Sequence, residues 1–433
     1  MKVCLGPVEI GGYYKCLQDG LVSIGIAADF ISNSHHPFSY GNSTSETNRV
    51  IIFWEMFGRW RSSLSDSMHA QVINRLLGII NCPLTLLVMV ITSLKYDVFI
   101  FGFGQTFTNT RVELWWLRLL KRKIIFVLHG TDARPTYIDP VYMHLESTVN
   151  IDTCYLIAKQ QKNRLKKIEQ YADAIVSFAS LSQLLQSNYI NGWLVGLPCV
   201  ASSNNQQLNY NTSSGIRILH CPSHLQVKGT KSIIDIVNKL KNKGYQIDLV
   251  MVHGMPNSKV LEELVICDFV IDQLYSDSPM ASFATEAAHF AKPAVVGGYF
   301  ASHIRDYLSE SDIPPSLFVH PDEMEAAIER LIVDQDYRKE LGQKAREFVS
   351  SRWMPKQVAE RFARIISGDI PKHWWSDPNE IFYLHGCGMP EWRAKENVRC
   401  MIKRFGKESL QLGDKPDLEQ AFVEFAELDP VIT

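Results

Sequence analysis

The chain has 433 residues, which at about 150 residues per domain corresponds to about two or three domains. Its 44 Lys and Arg residues nearly balance its 46 Asp and Glu residues, and the formal net charge of −2 provides no overall field to attract nucleic acid. Hydrophobic residues make up 46% and charged residues 21%, so the chain can bury a large core, and disordered or collagen-like architectures are excluded.

Nine cysteines are scattered along the sequence, and no two of them form a Cys-x2-Cys pair. This spacing disfavours a zinc site and dithiol exchange, and it is typical of reduced, structural thiols. The first residues, MKVCLGPVEIGGYY, contain no apolar run long enough for a signal peptide. The sequence therefore predicts a cytoplasmic protein.

Short apolar runs alternate with helical patterns along the first half of the chain, which is typical of parallel α/β units. Strands are predicted at residues 1–6, 97–103, 123–128 and 174–178. A helix is predicted at 53–64, and we expect the apolar stripe on one of its faces to pack in the core. The stripe consists of Phe53, Phe57, Trp60 and Leu64.

Residues 76–94 form a stretch of nineteen residues without a charge, close to the length that spans a bilayer. Asn81 and Pro83 interrupt this stretch, and residues 95–97 lead directly into the next apolar strand. A helix buried on a face of the sheet is the preferred interpretation, and contact with a membrane surface and a true span are the alternatives.

A second α/β series follows the polar segment 201–215, which is predicted to be a linker or long loop. Its predicted strands are 216–220, 247–253, 269–271, 294–296 and 317–319. Its predicted helices are 230–243, 259–267, 281–290 and 321–334, and two more are expected within 337–366. The fold class is therefore α/β, with two doubly wound Rossmann-like domains that face a cleft.

Lys228-Gly229-Thr230 opens a predicted helix directly after the loop that follows strand 216–220. A helix N-terminus supplies unpaired N–H groups and partial positive charge, and Lys228 adds a point charge, so this loop suits a phosphate. The spacing differs from that of a Walker P-loop, which disfavours an ATPase. An ordinary helix cap is the alternative.

Ser278 and Glu286 lie in a second cluster, which follows strand 269–271. A carboxylate one turn into a helix at the carboxyl edge of a sheet can accept hydrogen bonds from both hydroxyls of a ribose. A glutamate that only interacts with the helix dipole is the alternative.

Two further loops of the first half follow predicted strands. His129 and Asp132 come after strand 123–128, where the imidazole could bind a sugar hydroxyl or assist proton transfer. The alternative there is a histidine at the sheet edge, with Asp132 as a helix cap. Gly11-Gly12 follows the first strand, and it is either a turn whose N–H groups face a pyrophosphate or an ordinary turn.

Taken together, these motifs resemble those of GT-B glycosyltransferases of the family 4 type, over about residues 1–366. The matching segments are Gly11-Gly12, Tyr96–Gly104, His129-Gly-Thr-Asp132-Ala-Arg134, Lys228-Gly229-Thr230, Asp272-Gln-Leu, Phe283-Ala-Thr-Glu286-Ala and Lys292-Pro293. The resemblance implies sugar transfer from a nucleotide-sugar donor with retention of anomeric configuration. No cofactor or metal is implied beyond the donor itself.

The resemblance also implies a role for each motif. Lys228, with Gly229 and Thr230, would bind the donor diphosphate, and Glu286 would bind its ribose. His129 and Asp132 would lie near the reacting sugar as the catalytic pair, and Gly11-Gly12 would approach the phosphate from across the cleft.

The chain is predicted to have four parts, and the resemblance implies the roles of the first three. Residues 1–200 would bind the acceptor, and residues 201–352 would bind the nucleotide sugar. A helix at 353–368 would cross back onto the first domain, and residues 369–433 are predicted to form a helical extension.

One position departs from the family pattern. The family has a Glu-x7-Glu pair, and its first member falls on Ser278 in this chain. The first glutamate normally helps to orient the donor sugar, so an unusual sugar or a different contact is implied. A catalytically silent nucleotide-sugar-binding or scaffold protein, or an epimerase with a similar cleft, is the alternative function.

The segment 115–123 combines aromatic and basic residues, and a second basic stretch covers 159–167. Such surfaces favour anionic membranes, and solvated helix faces are the alternative. We therefore expect a saccharide or lipid-linked saccharide acceptor of surface polysaccharide biosynthesis, with peripheral contact at the inner face of the membrane. His35-His36 lacks carboxylate support and is expected to be a solvated loop, not a metal site.

Overall fold

The computed structural model describes residues 1–33, 48–62, 68–141, 150–199 and 215–427, with side chains described at all of these positions except 62 and 68–76. Residues 201–214 of the predicted linker 201–215, the pair His35-His36 and Leu64 of the predicted stripe lie outside these ranges.

The first sheet has seven strands, and six of them come from the first half of the chain. They are β1 (Lys2–Gly6), β2 (Ala27–Phe30), β3 (Val98–Gly102), β4 (Lys123–Val127), β5 (Ala174–Ser177) and β6 (Tyr189–Asn191). These six are parallel, in the order β6-β5-β4-β3-β1-β2.

The second sheet has five parallel strands in the order β11-β10-β9-β7-β8. They are β7 (Ile216–His220), β8 (Ile247–Met251), β9 (Phe269–Ile271), β10 (Ala294–Gly297) and β11 (Leu317–Val319). A last two-residue strand, β12 (Trp375–Ser376), pairs antiparallel with β6 and completes the first sheet.

Helices cover both faces of each sheet. Those that precede β7 are α1 (Tyr13–Ser23), α2 (Arg49–Ser62), α3 (Met68–Lys95), α4 (Arg111–Leu119), α5 (Ile151–Tyr171) and α6 (Gly192–Val195). Those that follow it are α7 (Thr230–Asn242), α8 (Asn257–Ile266), α9 (Ser282–His289), α10 (Ile304–Tyr307), α11 (Met324–Val333), α12 (Gln335–Arg352), α13 (Pro355–Ser367), α14 (Glu391–Phe405) and α15 (Pro416–Glu427).

Strand β3 shows why the first sheet is covered on both faces. Phe99 and Phe101 point into one apolar cluster, and Val98 and Ile100 point into another, as the two-residue period of a strand requires. A parallel strand that is apolar on both faces must be buried between helices. The predicted α/β class with two Rossmann-like sheets is confirmed.

Helix α13 lies on the first domain, although it follows the second domain in the chain. Val358, Phe362 and Ile366 share an apolar cluster with Leu17 and Tyr14 of α1. These positions recur at helical spacing, so one continuous stripe of α13 is buried against α1.

The C-terminal residues contact both domains instead of forming a separate unit. Tyr137 in the first domain donates its hydroxyl proton to the carbonyl of Leu410 (3.1 Å), and the N–H of Gly388 donates to the carbonyl of Tyr275 in the second domain (2.7 Å). Part of the predicted basic stretch at 159–167 is also covered, because Lys162 is buried against Asp414 (2.8 Å).

Two expectations about buried helices are wrong. In α2 the side chains of Phe53 and Trp60 are more than half exposed, and the buried face is the one that carries Trp54. In α3 only 28% of the apolar stretch Leu77–Lys95 is buried, and its other face is open to solvent. The helical period was predicted correctly, but it could not indicate which apolar face meets the sheet.

The buried side chain of Arg134 connects the two domains. Its side chain is 7% exposed, and it contacts Asp139 of its own domain (2.7 Å) and Asp277 of the second domain. Burial alone would lower the pKa of Arg134, but the adjacent carboxylates outweigh it and hold the pKa above its ordinary value. The guanidinium and Asp277 therefore form an ion pair that joins the two domains.

We expect Arg134→Met to lower the free energy of unfolding by about 3–5 kcal/mol, because the substitution leaves Asp139 and Asp277 as buried charges without their cation. The matched control is Arg305→Met, which removes an exposed ion pair with Glu310 and should cost about 0–1 kcal/mol. Urea unfolding of both variants measures the difference. Equal effects would show that the Arg134 pair does not stabilise the domain arrangement.

Candidate active site

A cavity of about 260 Å³ lies between the two domains and brings three of the predicted residues together. Its lining includes Gly11 from the first domain and Lys228 and Glu286 from the second. The loops that line it follow β1, β7, β8 and β9, so the cavity lies at the carboxyl edges of both sheets, where α/β folds bind ligands.

A larger cavity of about 420 Å³ lies at the opposite edge of the second sheet. It is lined by Ile216, Asp268 and Pro293, which stand at the amino ends of β7, β9 and β10. Ligands of α/β folds bind at the carboxyl edge of the sheet, whereas this cavity lies at the amino edge. The smaller cavity between the domains is therefore the candidate active site.

The loop after β1 is shaped by Glu9 and two glycines. The buried Glu9 carboxylate accepts N–H bonds from Ile10 (2.8 Å), Tyr14 (3.1 Å) and Lys15 (3.0 Å), while burial raises its pKa. Gly11 and Gly12 have φ angles of 55° and 83°, a backbone region that favours glycine. A Cβ at Gly11 would lie 3.1 Å from the hydroxyl of Ser282 in the other domain, so the cleft is narrow here.

Lys228 reaches the cavity from the second domain and is held by an acidic partner. Its Nζ lies 3.2 Å from Oδ1 of Asp272, which follows β9 and is fully buried. The other carboxylate oxygen, Oδ2, is buried without a hydrogen-bond partner among the described residues. An ammonium group has three donors, so Lys228 can contact Asp272 and an anion in the cavity at the same time.

Gly229 and Thr230 have structural roles and do not line the cavity. Gly229 caps α7 in a left-handed conformation, and the Thr230 hydroxyl bonds Nε2 of His220 (2.9 Å). Nδ1 of His220 donates to the carbonyl of Ile271 (2.8 Å), which makes Nε2 the acceptor.

The backbone N–H groups of this segment are also occupied. Lys228, Gly229 and Thr230 donate to carbonyls within residues 224–226, at about 3.0 Å each. These three N–H groups are not free for a phosphate, which corrects the predicted backbone role of Gly229 and Thr230. The loop folds back over the start of the helix, and Lys228 is the group that it presents to the cavity.

Glu286 lies one turn into α9, as the sequence predicted, and lines the cavity. The side-chain amide of Asn257 donates to its Oε1 (2.8 Å) and fixes the carboxylate. An ionised carboxylate can accept about four hydrogen bonds, so Glu286 has capacity for the hydroxyls of a ligand.

Ser278 does not line the cavity, although it stands at the donor-sugar position of the resembling family. Its backbone N–H and C=O both contact the hydroxyl of Ser276 (3.1 and 2.7 Å). The nearest carboxylate along the chain, that of Asp277, forms an ion pair with Arg134. The structure therefore provides neither a glutamate nor a free aspartate at this turn.

His129 lies next to the Gly11-Gly12 loop without lining the cavity. Its Nε2 is 2.7 Å from the hydroxyl of Tyr14, and the rings of Tyr13 and Tyr14 pack edge-on against it. Burial lowers the pKa of His129 to about 3, so the imidazole is neutral near pH 7. Nδ1 has no hydrogen-bond partner within the described ranges.

Asp132 is turned away from the cleft. Its carboxylate accepts the backbone N–H groups of His129 (3.0 Å) and Gly130 (2.8 Å) and is 1% exposed. Burial raises the pKa of this carboxyl, and the two N–H bonds oppose that shift. The carboxylate shapes the His129 loop, which favours the capping alternative over direct catalysis.

A third cavity, of about 300 Å³, opens in the first domain, on the other side of the His129 loop. Its lining includes Thr106, Asn109, Arg164 and Lys167. Nη2 of Arg164 donates to the carbonyl of Asp132 (2.8 Å), while its Nε is buried without a partner among the described residues. The cavity is polar and cationic and suits a ligand rich in hydroxyl or anionic groups.

Sequence reasoning assigned no role to three residues that shape the site, although one of them, Asp272, stands in a segment that matches the family pattern. Glu9, Asn257 and Asp272 each hold a predicted residue or loop in position. Asp272 comes directly after the predicted strand 269–271, and this position could have indicated a site residue, just as the loop after strand 216–220 indicated Lys228. Asn257 and Glu9 carry no comparable signal, because their partners are distant in sequence or are backbone groups.

No group of three or more His, Cys, Asp or Glu side chains that could hold a metal ion occurs within the described residues.

Neither the family models nor the characterised proteins that were compared include a match to this sequence. Solved structures do resemble it. S. aureus TarM, determined with UDP and alpha-GlcNAc-glycerol, is 11% identical with a TM-score of 0.42, over 66% of this chain and 58% of TarM. This chain thus spans less than two thirds of the length of TarM.

Two other similar structures match along nearly their whole length. Anabaena HepE in complex with UDP-glucose is 14% identical with a TM-score of 0.45, over 85% of this chain and 100% of HepE. Phytolacca americana UGT2, complexed with UDP-2fluoro-glucose and pterostilbene, is 11% identical with a TM-score of 0.43, over 85% and 99% of the two chains. Similarity at this level assigns neither a substrate nor a mechanism to this chain.

Substituting Lys228 tests the anion site. We expect Lys228→Met to weaken nucleoside diphosphate binding about ten- to hundredfold, because a charge-assisted contact contributes about 1.5–3 kcal/mol. The double variant Lys228→Met/Asp272→Asn avoids leaving a buried carboxylate unpaired and should show the same loss with better stability. Calorimetry with UDP and GDP measures the affinities, and Lys239→Ala on the exposed side of α7 is the control. Wild-type affinity in the folded double variant would remove Lys228 from the site.

Substituting Glu286 tests the hydroxyl-binding role. Glu286→Gln keeps the shape of the side chain but replaces a charged acceptor by a neutral amide, and we expect nucleotide affinity to fall about tenfold or more. The exposed Glu262→Gln on α8 should leave affinity unchanged. Comparing each nucleotide with its 2′-deoxy form locates the contact. An equal loss for both forms would contradict binding to the ribose 2′-hydroxyl.

Proposed function

We propose that this protein is a glycosyltransferase that moves a sugar from a nucleotide-sugar donor to a saccharide or lipid-linked saccharide acceptor, with retention of anomeric configuration. We place it in surface polysaccharide biosynthesis, in the cytoplasm and at the inner face of the membrane. The proposal includes no metal ion and no cofactor beyond the donor.

One observation carries this proposal: the cavity between the two domains combines a cation, a carboxylate and a close backbone loop. Lys228 suits a diphosphate, Glu286 suits the hydroxyls of a ribose, and Gly11 approaches from the opposite domain. The distribution of these three groups over two domains matches a ligand with a phosphate centre, a nucleoside on one side and a reacting sugar on the other.

The reaction follows from the charge of the leaving group. Cleavage of the bond between the sugar C1 and the diphosphate oxygen leaves the nucleoside diphosphate with one more negative charge than it carries in the donor, and Lys228 stabilises this added charge electrostatically. The acceptor oxygen then bonds to C1 from the same face, and its proton passes to the departing phosphate oxygen. This sequence gives retention and balances the proton without an added base.

The acceptor is proposed to enter through the cavity of the first domain. His129 lies between the two cavities, since Tyr14 beside it belongs to the helix that follows the Gly11 loop, and Asp132 beside it contacts Arg164. A neutral imidazole there can hydrogen-bond a sugar hydroxyl, which supports a positioning role for His129 at the point where donor and acceptor meet.

A binding panel identifies the donor and separates the proposal from its alternatives. Thermal shift is measured with UDP, GDP, ADP and CMP, and then with the sugar nucleotides of the base that binds, UDP-glucose included. Transfer to a saccharide acceptor supports the proposal. Binding without turnover across a broad panel indicates a silent binding protein, and release of a free epimerised sugar indicates an epimerase.

His129 is tested by turnover and not by nucleotide affinity. We expect His129→Ala to lower kcat about a hundredfold while the affinity for the bare nucleoside diphosphate is unchanged, because the nucleotide is held by the second domain. Since the pKa of His129 is about 3, the pH profile of the wild type should show no step from this residue between pH 5 and 8.

The comparison variant for His129 is Asp132→Asn, which weakens the carboxylate that binds the loop backbone. It should lower stability by about 1 kcal/mol with nearly normal turnover. Single-turnover rates and urea unfolding are measured on both variants. Transfer by His129→Ala at the wild-type rate would leave the imidazole a structural group at the sheet edge.

A further inference from the structure

The outer face of α3 is apolar, exposed and long. The segment Leu77–Lys95 has a mean hydropathy of 2.1 and is long and apolar enough to cross a membrane. The side chains on its solvent side are Ile79, Ile80, Leu86, Leu87, Val90 and Leu94, each between 38% and 70% exposed. Soluble monomers rarely expose a contiguous apolar surface of this size without a partner.

The neighbouring helices extend this surface. Helix α2 exposes Phe53, Met56 and Trp60, and α4 exposes Val112, Trp115 and Leu119. Both helices are fixed to α3 by hydrogen bonds of buried or half-buried tryptophans: Trp54 to Thr85 (2.8 Å) and Trp116 to Ser93 (3.0 Å). These exposed side chains of α2, α3 and α4 form what we call the apolar face.

The exposed charges carried by the three helices of the apolar face have one sign, although Lys95 and Arg118 each also pair with an aspartate outside these helices. Among the described side chains of α2, α3 and α4, every charged group that is not buried is a cation. These cations are Arg49, Arg59, Arg61, Lys95, Arg111 and Arg118. The two acids of these helices, Glu55 and Glu113, are 2% and 0% exposed. An apolar surface bordered by cations is complementary to lipid with anionic headgroups.

The packing of α3 against the first domain is compatible with a helix that lies on a membrane surface but not with one that crosses the membrane. Its inner face is buried in the first domain through Val88, Thr92 and Ser93. Its last residue, Lys95, is separated by only two residues from β3 in the middle of the sheet. A crossing would expose the polar Thr92 and Ser93 to lipid and pull this strand from its neighbours, whereas a helix in the interface plane keeps both contacts.

We propose that the apolar face docks this protein onto a membrane surface with anionic headgroups, with α3 parallel to that surface. This inference rests on the proposed function in one respect. If the protein is a glycosyltransferase, docking on a membrane favours the lipid-linked saccharide over the free saccharide as its acceptor. The acceptor-side cavity is close to the face, because Phe107 packs against Trp54 of α2 (5.8 Å between ring centroids) and follows Thr106 in the cavity wall.

Vesicle flotation tests the docking without reference to catalysis. The full chain is mixed with vesicles of phosphatidylcholine alone or with phosphatidylglycerol, at low and high salt. We expect binding to the anionic vesicles, weakened by salt, and an affinity about tenfold lower for Ile80→Glu/Leu87→Glu. The matched control is Val333→Glu, which adds a charge at an exposed apolar position of the second domain and should bind like the wild type.

The two hypotheses fail in different ways. Equal flotation of the wild type and the double variant, or no flotation, would overturn the docking, even if transfer to a soluble acceptor proceeds. A dimer in light scattering that the double variant converts to a monomer would assign the face to a second copy and also overturn it. Docking without any nucleotide binding would instead contradict the proposed function. Thermal unfolding and nucleotide affinity of the double variant should match those of the wild type.

Discussion

The buried charge of Arg134 is the constraint on which the arrangement of the two domains depends. A guanidinium that is 7% exposed must have its carboxylates in place, and one of them, Asp277, belongs to the other domain. The pair fixes how the loops after β4 and β9 face each other. The same arrangement brings Gly11 toward Ser282 and encloses the cavity that contains Lys228 and Glu286.

Much of the fold was predictable because parallel strands are apolar on both faces. Strands β7, β9 and β11 were predicted with their observed bounds, and α14 lies in the predicted helical extension 369–433. Strands β2, β6 and β12 were missed because they have two to four residues and no apolar run of their own. Their pairing depends on neighbours that are distant in sequence, which a local pattern cannot indicate.

The residues that line the candidate cavity were predicted in part, but their contacts were not. Lys228 and Glu286 both line the cavity. This could be predicted because the loops that follow parallel strands, and the helices that begin after them, lie at the same edge of the sheet. Thr230 and Asp132 were also expected to contact the ligand there, and the structure turns their side chains elsewhere. They point inward because His220 and the backbone of the His129 loop need them as partners, and these needs become visible only in three dimensions.

Ser278, which replaces the glutamate of the family pattern, stands next to the aspartate that pairs with Arg134 across the two domains. The carboxylate next to it neutralises Arg134, so replacing Ser278 by an acid would place a second negative charge beside Asp277 and weaken the pair between the domains. The C-terminal extension adds another constraint, because Gly388 binds the backbone of Tyr275 just before this turn. A neutral residue at 278 is therefore compatible with this turn, because the Asp277 carboxylate in the turn already forms the ion pair between the domains.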